Sequence, residues 1–427
     1  MLAPGAIVPI DVEKPAAGGR MIGRVDGQIV LVAGAIPGER VRAQVERIQK
    51  NVVYATTVGV EQASPDRREP FVELPCGGSL YAHIDYPRQL AIKAQIIADG
   101  FLRIGRIPLA EPPIVAASAV DGYRMRARLH ARNGRIGFFR EGSHQLCDAR
   151  PTRQLMTATC DVLDEVGRRL RPDISVDEIE LSENLTASNR VIHLEGISQA
   201  GVANLSALAD IDGLTGVTVS STPGHAPAHV TVIAGSPYVA DTLTLGHATV
   251  TIRRHVLSFF QGNRYLLAAL VNHVVEAVPP GSSVVDLYAG AGTFSIPASI
   301  VRQASVTAVE GDPLSTDDLD DNARAAGSRV EVVHGSVEAF TSRSRRGTTP
   351  PDVVIVDPPR TGLSKDAMTG AIALGAQRVV YVSCDVATLA RDARRLLDAG
   401  YTLSGMAAFD LFPSTPHVET VVRFERN

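Results

Sequence analysis

The stretch SSVVDLYAGAGTFSIPASIVRQASVTAVEGD, residues 282–312, decides the fold of the larger part of the chain. It contains an apolar strand, a turn with two glycines, a helix-length segment and a second apolar strand. A strand, a helix and another strand in this order predict two parallel strands joined by a right-handed crossover. Residues 282–312 therefore indicate an α/β fold with a doubly wound sheet.

The same alternation continues over residues 252–427. Further apolar strands are predicted in RVEVVHGS, PDVVIVDPP, QRVVYVSC and YTLSGMAAFDLF, and helical segments fit between most of them. The final strand, in HVETVVRFER, follows its predecessor after only a few residues around PSTP, too few for a helical crossover. We therefore predict a Rossmann-like sheet whose last strand runs antiparallel to its neighbour.

Residues 1–60 differ from the C-terminal region, because they consist of short alternating strands separated by glycines. With a turn signal at Asp26–Gly27, they predict a small OB-like β-barrel of five strands, a class that often binds nucleic acid. Residues 61–70 have the polar composition of a linker, and a helix is predicted roughly from Tyr86 to Ile104. The predicted organisation is a barrel at 1–60, an α+β central domain at 71–250 and an α/β domain at 252–427.

The composition of the 427 residues excludes several classes of protein. With 45% apolar and 21% charged residues, and no apolar run near the roughly 20 residues that cross a bilayer, we expect no membrane span. The N-terminus lacks the features of a secretory signal, so we expect a cytoplasmic protein, with a monomer as the default. The net charge of −4 argues against a protein that coats nucleic acid. The cysteines, which we expect as reduced thiols, are Cys76, Cys147, Cys160 and Cys384.

A local basic patch lies within this acidic background, in residues 121–140. Arg124, Arg126 and Arg128 alternate with apolar residues, so on a strand the three guanidinium groups share one face. Such a row suits the phosphate backbone of RNA. A solvated strand face without any ligand explains the same alternation equally well.

Cofactor-binding residues are predicted where the first two strands of the α/β domain end, because ligands of open parallel sheets bind at that edge. Gly290 and Gly292 allow a tight turn and a helix N-terminus close to a ligand. Glu310 ends the second strand, where a carboxylate can accept hydrogen bonds from both ribose hydroxyls. GAGTFS lacks the third glycine of the dinucleotide fingerprint, which favours S-adenosylmethionine over NAD. Alternatively, the glycines serve only the crossover.

Three reactive side chains are predicted at the same edge, from segments far apart in the sequence. Asp357 follows the fourth strand in VDPPR, where two prolines stiffen the chain and Arg360 offers a phosphate partner. Cys384 follows the fifth strand, at the start of a helix whose dipole is expected to lower the pKa of the thiol. Glu419 lies at the start of the antiparallel last strand. A buried, inert cysteine is the alternative interpretation of Cys384.

A thiol and a carboxylate beside S-adenosylmethionine suit the methylation of uracil at carbon 5. A thiolate that adds to carbon 6 makes carbon 5 nucleophilic, and a base must afterwards remove the proton from carbon 5. Cys384 and Glu419 fit these two roles, and the target base must leave the RNA stack to reach the thiol. Two alternatives stay open: a base-amine methyltransferase that uses Asp-Pro-Pro and needs no cysteine, and a noncatalytic RNA-binding protein.

The chain also resembles a known family, the S-adenosylmethionine-dependent RNA uracil-5-methyltransferases that act on tRNA and 23S rRNA. The resemblance is carried by FFQGN (259–263), DLYAGAGTFSIP, VDPPRTGL, YVSCDVATLARD and FDLFPSTPHVE, in order and spacing. Residues 1–60 resemble the RNA-binding TRAM domain of many members, which favours 23S rRNA over tRNA as the substrate. The resemblance implies that Cys384 is the nucleophile and Glu419 the proton acceptor. The cofactor contacts that it implies are Gln261, Tyr288, Thr293, Glu310, Ser336 and Asp357.

The segment LPCGGSLYAHIDYPRQLAIK, residues 74–93, departs from the family pattern. Many members bind a [4Fe–4S] cluster through four cysteines, and this chain retains Cys76, with Cys147 matching the fourth ligand. Pro70 and Ser79 occupy the other two ligand positions. Because such clusters need close to four thiolates, we predict no iron–sulfur cluster and no metal, with Cys76 as a packing residue.

Overall fold

The computed structural model describes residues 2–74, 76–170, 176–197, 205–220, 230–344 and 349–426. Within these ranges, no helix is both long and apolar enough to span a bilayer. One large cluster of buried apolar side chains joins an N-terminal barrel to one face of a C-terminal sheet. A second cluster covers the other face of that sheet, and a third lies under a separate central sheet.

The N-terminal residues form a closed barrel, which confirms the predicted fold of this region. Its strands are β1 (Ile7–Pro15), β2 (Met21–Val25), β3 (Gln28–Ala33), β4 (Arg40–Gln49) and β5 (Val52–Gln62), in the order β1-β2-β3-β5-β4. Asp26 and Gly27 have φ of 49° and 79° in the two-residue turn between β2 and β3, as a tight hairpin requires. Val41, Ala43 and Val45 point inward and are buried, whereas the β4 residues between them are exposed.

Residues 63–70 connect the barrel to the rest of the chain but are not a free linker. Arg67 donates two hydrogen bonds to the buried carboxylate of Glu39, from Nε to Oε1 and from Nη2 to Oε2, both at 2.6 Å. The same Nη2 donates to the carbonyl of Gly34 at 2.9 Å. The predicted linker is thus a connecting segment that a bidentate arginine fixes to the barrel.

The region predicted as a central domain, residues 71–250, divides between two sheets. α1 (Tyr86–Gly100), a π-helical turn (Phe101–Gly105) and β6 (Val115–Ala116) pack with the C-terminal sheet, to which β6 contributes an edge strand. α1 and the turn together cover the helix that the sequence predicts. The predicted boundary near residue 252 leaves these elements out of the C-terminal unit. The edge strand β6 could not be predicted, because two residues have no periodicity that a sequence pattern could reveal.

A separate sheet fills the remainder of the central region. Its strands are β7 (Arg126–Arg132), β8 (Arg135–Phe139), β9 (Leu146–Asp148), β10 (Glu178–Glu183), β11 (Arg190–Glu195), β12 (Gly216–Ser220) and β13 (Val230–Gly235). In the part of the chain that the structure describes, they follow the order β13-β12-β11-β10-β7-β8-β9. α2 (Thr157–Arg169) buries its apolar residues against this sheet, and a hairpin of β14 (Tyr238–Leu245) and β15 (Ala248–His255) follows.

The C-terminal sheet contains the strands predicted from the repeated strand–helix pattern. They are β16 (Ser283–Leu287), β17 (Ser305–Glu310), β18 (Val330–His334), β19 (Val353–Val356), β20 (Arg378–Ser383), β21 (Tyr401–Phe409) and β22 (Glu419–Arg426). The helices on its faces are α3 (Leu267–Glu276), α4 (Ser295–Arg302), α5 (Pro313–Ala325), α6 (Val337–Ser344), α7 (Lys365–Ala373) and α8 (Val386–Asp398). Over the described residues the strand order is β18-β17-β16-β19-β20-β22-β21-β6.

The last strand, β22, runs antiparallel to both of its neighbours, which confirms the prediction. It lies between β20 and β21, with Ser383 paired to Thr420. Strands β16 to β20 pair in parallel, so their carboxyl ends share one edge of the sheet. The start of an antiparallel strand lies at the same edge, and Glu419 is therefore brought next to the segment that follows Ser383.

Cys76 and Cys147 form a disulfide bond, with their Cα atoms 5.9 Å apart. The expectation of reduced thiols is wrong for this pair, and so is the assignment of Cys76 as a packing residue. A bridge between Cys76 and Arg140 places the loop of Cys76 beside β8 and β9, and the sequence separation of 71 between the two cysteines hid this proximity. The absence of an iron–sulfur cluster stays a prediction.

Candidate active site at the carboxyl edge of the sheet

The turn after β16 is the first element of the site. Tyr288, Gly290 and Gly292 adopt positive φ of 65°, 55° and 93°. A Cβ atom at Gly292 would lie 2.7 Å from the side chain of Ile296, so only glycine fits there. The N–H of Gly290 donates to Oε2 of Glu310 at 2.8 Å, which ties this turn to the end of β17.

Glu310 borders a cavity of about 650 Å³ at this edge, together with Tyr288 and Ser336. Its carboxylate is held in place, because the N–H of Asp312 donates to Oε1 at 2.7 Å. Three predicted cofactor residues thus share one cavity, whose size suits a nucleoside-sized ligand. The described residues around this cavity do not include the other predicted cofactor contacts, which are Gln261, Thr293 and Asp357.

Gln261 and Asp357 contact each other at the carboxyl edge of the sheet, beside the cavity. Nε2 of Gln261 donates to Oδ2 of Asp357 at 3.1 Å, across 96 residues of sequence. Burial raises the pKa of Asp357 to about 7, and the hydrogen bond from Gln261 opposes this only in part. Asp357 can therefore exchange a proton close to neutral pH.

Cys384 follows β20 and is partly buried. Burial raises the pKa of its thiol to about 12, and the nearby carboxyl groups of Glu419 and Asp357 act in the same direction. Arg360 opposes them through its positive charge and through a hydrogen bond with the thiol. Arg360 is thus the neighbour that stabilises a thiolate at this position.

The predicted lowering of the pKa of Cys384 by the dipole of α8 is wrong. Asp385 caps this helix, because its carboxylate accepts a hydrogen bond from the N–H of Thr388 at 2.8 Å. This cap satisfies one of the N–H groups in the first turn of the helix. Burial and two carboxyl groups then outweigh what remains of the dipole at the thiol.

Glu419 is only 2% exposed at the start of β22. Burial raises the pKa of this carboxyl well above its usual value, repulsion from Asp357 adds to the effect, and Arg360 opposes it. Among the residues whose positions are described, none donates a hydrogen bond to this carboxylate. A buried acid without such a partner holds a proton readily and is poised for proton transfer.

Asp357, Arg360, Cys384 and Glu419 therefore meet at one edge, as the topology predicted. Each influences the charge state of another, although they come from three separate segments of the chain. Their individual roles stay predictions. The arrangement combines a thiol, a cation and two carboxyl groups with raised pKa, which suits nucleophilic and acid–base chemistry.

Two further residues at this edge were not predicted from the sequence. Asp286 in β16 is fully buried and accepts a hydrogen bond from the hydroxyl of Ser295, and burial raises its pKa to about 7, with Asp357 adding to the shift. Burial lowers the pKa of His417 to about 4, and the charge of Arg360 acts in the same direction. Two features of the sequence could have identified these residues: an acid within an apolar strand, and a histidine two residues before Glu419.

The predicted arginine row has a mixed outcome. Arg126 and Arg128 do lie on the face of β7 opposite its buried residues, and Arg124 precedes the strand on the same side. However, Nε of Arg128 lies 2.7 Å from a carboxylate oxygen of Glu180, and Arg126 contacts the same carboxylate at 3.9 Å. Arg124 donates to the side chain of Gln154 at 2.6 Å. The phosphate-binding role of this row stays a prediction.

Comparison with family models identifies two segments of the chain. Residues 348–427 match the model described as tRNA (Uracil-5-)-methyltransferase, and residues 2–58 match the TRAM domain. The first segment contains Asp357, Cys384 and Glu419. The second coincides with the N-terminal barrel.

Relatives of known sequence match over nearly the whole chain. An uncharacterized RNA methyltransferase of Gloeobacter violaceus is 31% identical, across 100% of this chain and 98% of that protein. The 23S rRNA (uracil(1939)-C(5))-methyltransferase RlmD of Halomonas elongata is 32% identical, across 95% of this chain and 87% of that protein. The similarity therefore includes the barrel, the central region and the C-terminal sheet together.

A solved structure shares the whole fold. The tRNA (uracil-54, C5)-methyltransferase of Pyrococcus abyssi, in complex with S-adenosyl-L-homocysteine, superposes with a TM-score of 0.76 at 22% sequence identity. The match covers 97% of this chain and 99% of that one. It confirms the predicted combination of a small barrel, a central region and a Rossmann-like sheet.

Proposed function

The chain belongs to the RNA uracil-C5-methyltransferase family, and we propose that it methylates a uridine of 23S rRNA through a covalent adduct with Cys384. As a member, it is an S-adenosylmethionine-dependent RNA methyltransferase. The observation that carries the covalent route is the thiol of Cys384 in contact with Arg360 and within the electrostatic reach of Asp357 and Glu419. A methyltransferase for base amines has no use for a thiol at this place.

The first step is addition of the Cys384 sulfur to carbon 6 of the flipped uracil. The thiol must lose its proton, and Asp357, with a pKa of about 7, can take it at neutral pH. Arg360 stabilises the resulting thiolate by its charge. When the C–S bond forms, the electrons of the C5–C6 double bond move toward O4, so that carbon 5 becomes nucleophilic.

The second half of the reaction frees the enzyme. Once carbon 5 has gained its methyl group, Glu419 removes the proton from carbon 5. The electrons of the broken C–H bond restore the C5–C6 double bond, and the C6–S bond breaks to release Cys384 as a thiolate. Glu419 must be ionised to accept this proton, and the positive charge of Arg360 favours that form. Once ionised, a buried carboxylate that accepts no hydrogen bond from the described residues is a stronger base than an exposed one.

The residues at the edge of the cavity fit S-adenosylmethionine. Only glycine fits at position 292, and Glu310 is held by two backbone N–H groups at the end of β17. Tyr288, Glu310 and Ser336 would hold the nucleoside part in the cavity, and Gln261 and Asp357 would face the reacting end. The cofactor supplies an electrophilic methyl group.

The choice of 23S rRNA rests on the RlmD relative and on the TRAM barrel. Arg360 lies at the catalytic edge, where its charge acts on Cys384, Glu419 and His417, and it is the arginine that we place against a phosphate near the flipped base. Arg126 and Arg128 contribute less, because carboxylates already neutralise them. The similar fold of the tRNA-modifying enzyme makes tRNA the second candidate substrate.

Transfer of a labelled methyl group to total RNA that lacks 5-methyluridine tests this proposal. We expect label at carbon 5 of a 23S rRNA uridine, and label in tRNA alone would reject the choice of rRNA. Cys384→Ala is expected to abolish transfer, whereas Cys160→Ala, at the other free and buried cysteine, is expected to retain it. Transfer that survives Cys384→Ala, or label on a base amine, would reject the covalent route.

A further inference from the structure

The loop between β21 and β22, residues 410–418, leads directly to Glu419, and we call it the Glu419 loop. It contains no helix or strand, so its position depends on the contacts that it makes with neighbouring segments. The side chain of Asn263 donates to the carbonyl of Leu411 at 2.9 Å. The N–H of Tyr81 donates to the carbonyl of Ser414 at 2.8 Å.

Helix α1 supplies further anchors from one face. Gln89 and Lys93 are four residues apart, so their side chains lie one turn above each other. Nζ of Lys93 donates to Oδ1 of Asp410 at 2.5 Å and to the carbonyl of Phe412 at 3.1 Å. Oε1 of Gln89 accepts a hydrogen bond from the N–H of Ser414 at 2.9 Å. The start and the middle of the Glu419 loop are thus both attached to α1.

Both side chains of the ion pair between Lys93 and Asp410 are completely buried. Removing two charges from water costs free energy that two apolar residues of similar size would not cost. Ile92, Ile96 and Ile97 already pack α1 into the apolar core, so packing alone does not require the charges. The hydroxyl of Tyr86 also lies beside Asp410, but among the described residues Lys93 is the cation that hydrogen-bonds to this carboxylate.

We propose that Lys93 is a positioning residue, which fixes the Glu419 loop so that the carboxylate of Glu419 reaches the proton on carbon 5. This inference rests on the proposed function, in which Glu419 acts only after the adduct has been methylated. Lys93 does not hydrogen-bond to Cys384, Asp357 or Gln261. Its effect should therefore fall on the release of the methylated adduct and spare the addition of the thiol.

The test measures the two halves of the reaction separately. Lys93→Met alone leaves Asp410 as an unpaired buried charge and could unfold the protein, so the main variant is Lys93→Met combined with Asp410→Asn. Rapid quenching with substrate RNA and S-adenosylmethionine gives the amount of methylated covalent complex and its rate of release. We expect release to slow by about 10- to 100-fold, as small displacements of catalytic groups do, and the complex to accumulate. Trapping by RNA that contains 5-fluorouridine should keep the wild-type rate.

Two further variants complete the experiment. Gln89→Met removes the anchor at Ser414 without exposing a buried charge, and it should slow release in the same direction by a smaller factor. Lys14→Met is the control. It breaks the ion pair of 2.7 Å between Lys14 in β1 and Asp99 in α1, a pair that does not involve the Glu419 loop, and the variant should release methylated RNA at the normal rate.

The outcomes separate this inference from the proposed function. If the wild-type enzyme forms no complex with 5-fluorouridine RNA, the covalent route itself is wrong. If the wild-type enzyme forms that complex but the double variant releases methylated RNA at the normal rate, the positioning role of Lys93 is wrong. A double variant that loses trapping and release in equal measure would also overturn the positioning role, since it would show a general loss of structure.

Discussion

The central region and the catalytic edge bury carboxyl groups in opposite ways. In the central region, Glu183 is completely buried and accepts hydrogen bonds from Arg190, Arg264 and Thr159. At the catalytic edge, Glu419 is almost as buried, and yet none of the described residues donates a hydrogen bond to it. The same fold therefore contains one acid with two cationic partners and another that is left without a direct one.

This difference separates structural acids from reactive ones. A carboxylate that accepts hydrogen bonds from two guanidinium groups stays ionised, and it links the segments that carry these partners. A buried carboxyl group without a cation in contact has a raised pKa and holds a proton more readily than an ordinary carboxyl group. Glu419, Asp357 and Asp286 are of the second kind, and all of them lie at the carboxyl edge of the C-terminal sheet.

The largest expected effect is on turnover, from Glu419→Gln. The amide keeps the size of the side chain but cannot accept the proton from carbon 5, so turnover should fall by up to about 10⁴-fold. The methylated RNA should remain attached to Cys384 and appear as a stable complex on a denaturing gel. Glu425→Gln, later on the same strand, is the control and should turn over normally. Normal turnover of Glu419→Gln would remove the distinction between the two kinds of acid.

Glu183→Gln should have the largest effect on stability. It leaves Arg190 and Arg264 buried without their counter-charge, and breaking a buried pair in this way costs about 3–5 kcal/mol. Chemical denaturation measures the change in the free energy of unfolding. Glu425→Gln breaks a partly exposed pair with Arg378 and should cost much less. Equal losses in the two variants would contradict the structural role given to Glu183.

Asp357→Asn should reduce activity and increase relative stability at high pH. The pKa of Asp357 is about 7 when folded, against 3.8 for an ordinary aspartate, so the folded state binds more protons between these values. The contribution of this group to the free energy of unfolding therefore falls as pH rises from about 4 to 7, and asparagine removes that loss. Chemical denaturation at pH 5 and pH 8 should show that the free energy of unfolding of the variant, relative to that of the wild type, is higher at pH 8 than at pH 5.

A matched control for Asp357→Asn is Asp366→Asn, at an exposed position in the first turn of α7. Its stability relative to the wild type should not change between the two pH values in this way. A gain for Asp357→Asn that is the same at pH 5 and pH 8 would show that its carboxyl group is not held protonated in the folded state.

The smallest effects are expected at arginines that already have acidic partners. Arg128→Gln should change RNA affinity little, because Glu180 and Glu178 lie within ion-pair distance of Arg128. Arg360→Gln should weaken binding more and lower the salt dependence of the affinity by about one phosphate contact. Binding measured at two or more salt concentrations compares the variants. A larger loss for Arg128→Gln would mean that its acidic partners do not neutralise it in the complex with RNA.

Much of the fold follows from local sequence patterns. The alternation of strands and helices predicted the C-terminal sheet, and the short connection before Glu419 predicted that the last strand is antiparallel. The edge residues could be located because parallel strands end at one edge. Contacts without a local pattern could not be predicted, such as the ion pair of Lys93 with Asp410 across 317 residues, or the disulfide between Cys76 and Cys147.

The charge states of the site residues could not be predicted from the sequence either. The position of Cys384 at the start of a helix suggested a lowered pKa, but the outcome depends on burial and on two carboxyl groups from other strands. Local sequence reveals the start of a helix, but it does not reveal burial or carboxyl groups that come from distant segments. The pairing of Arg128 with Glu180 escaped prediction for the same reason, since β7 and β10 meet only in the folded sheet.

The central claim is that the sulfur of Cys384 attacks carbon 6 of the target uridine, and trapping tests it most directly. RNA that contains 5-fluorouridine has no proton for Glu419 to remove after methyl transfer, so the complex cannot resolve. Incubation with this RNA and S-adenosylmethionine, followed by proteolysis and mass spectrometry, should find one methylated fluorouridine attached to the peptide that contains Cys384. Absence of the complex, or its persistence in Cys384→Ala, would contradict the account.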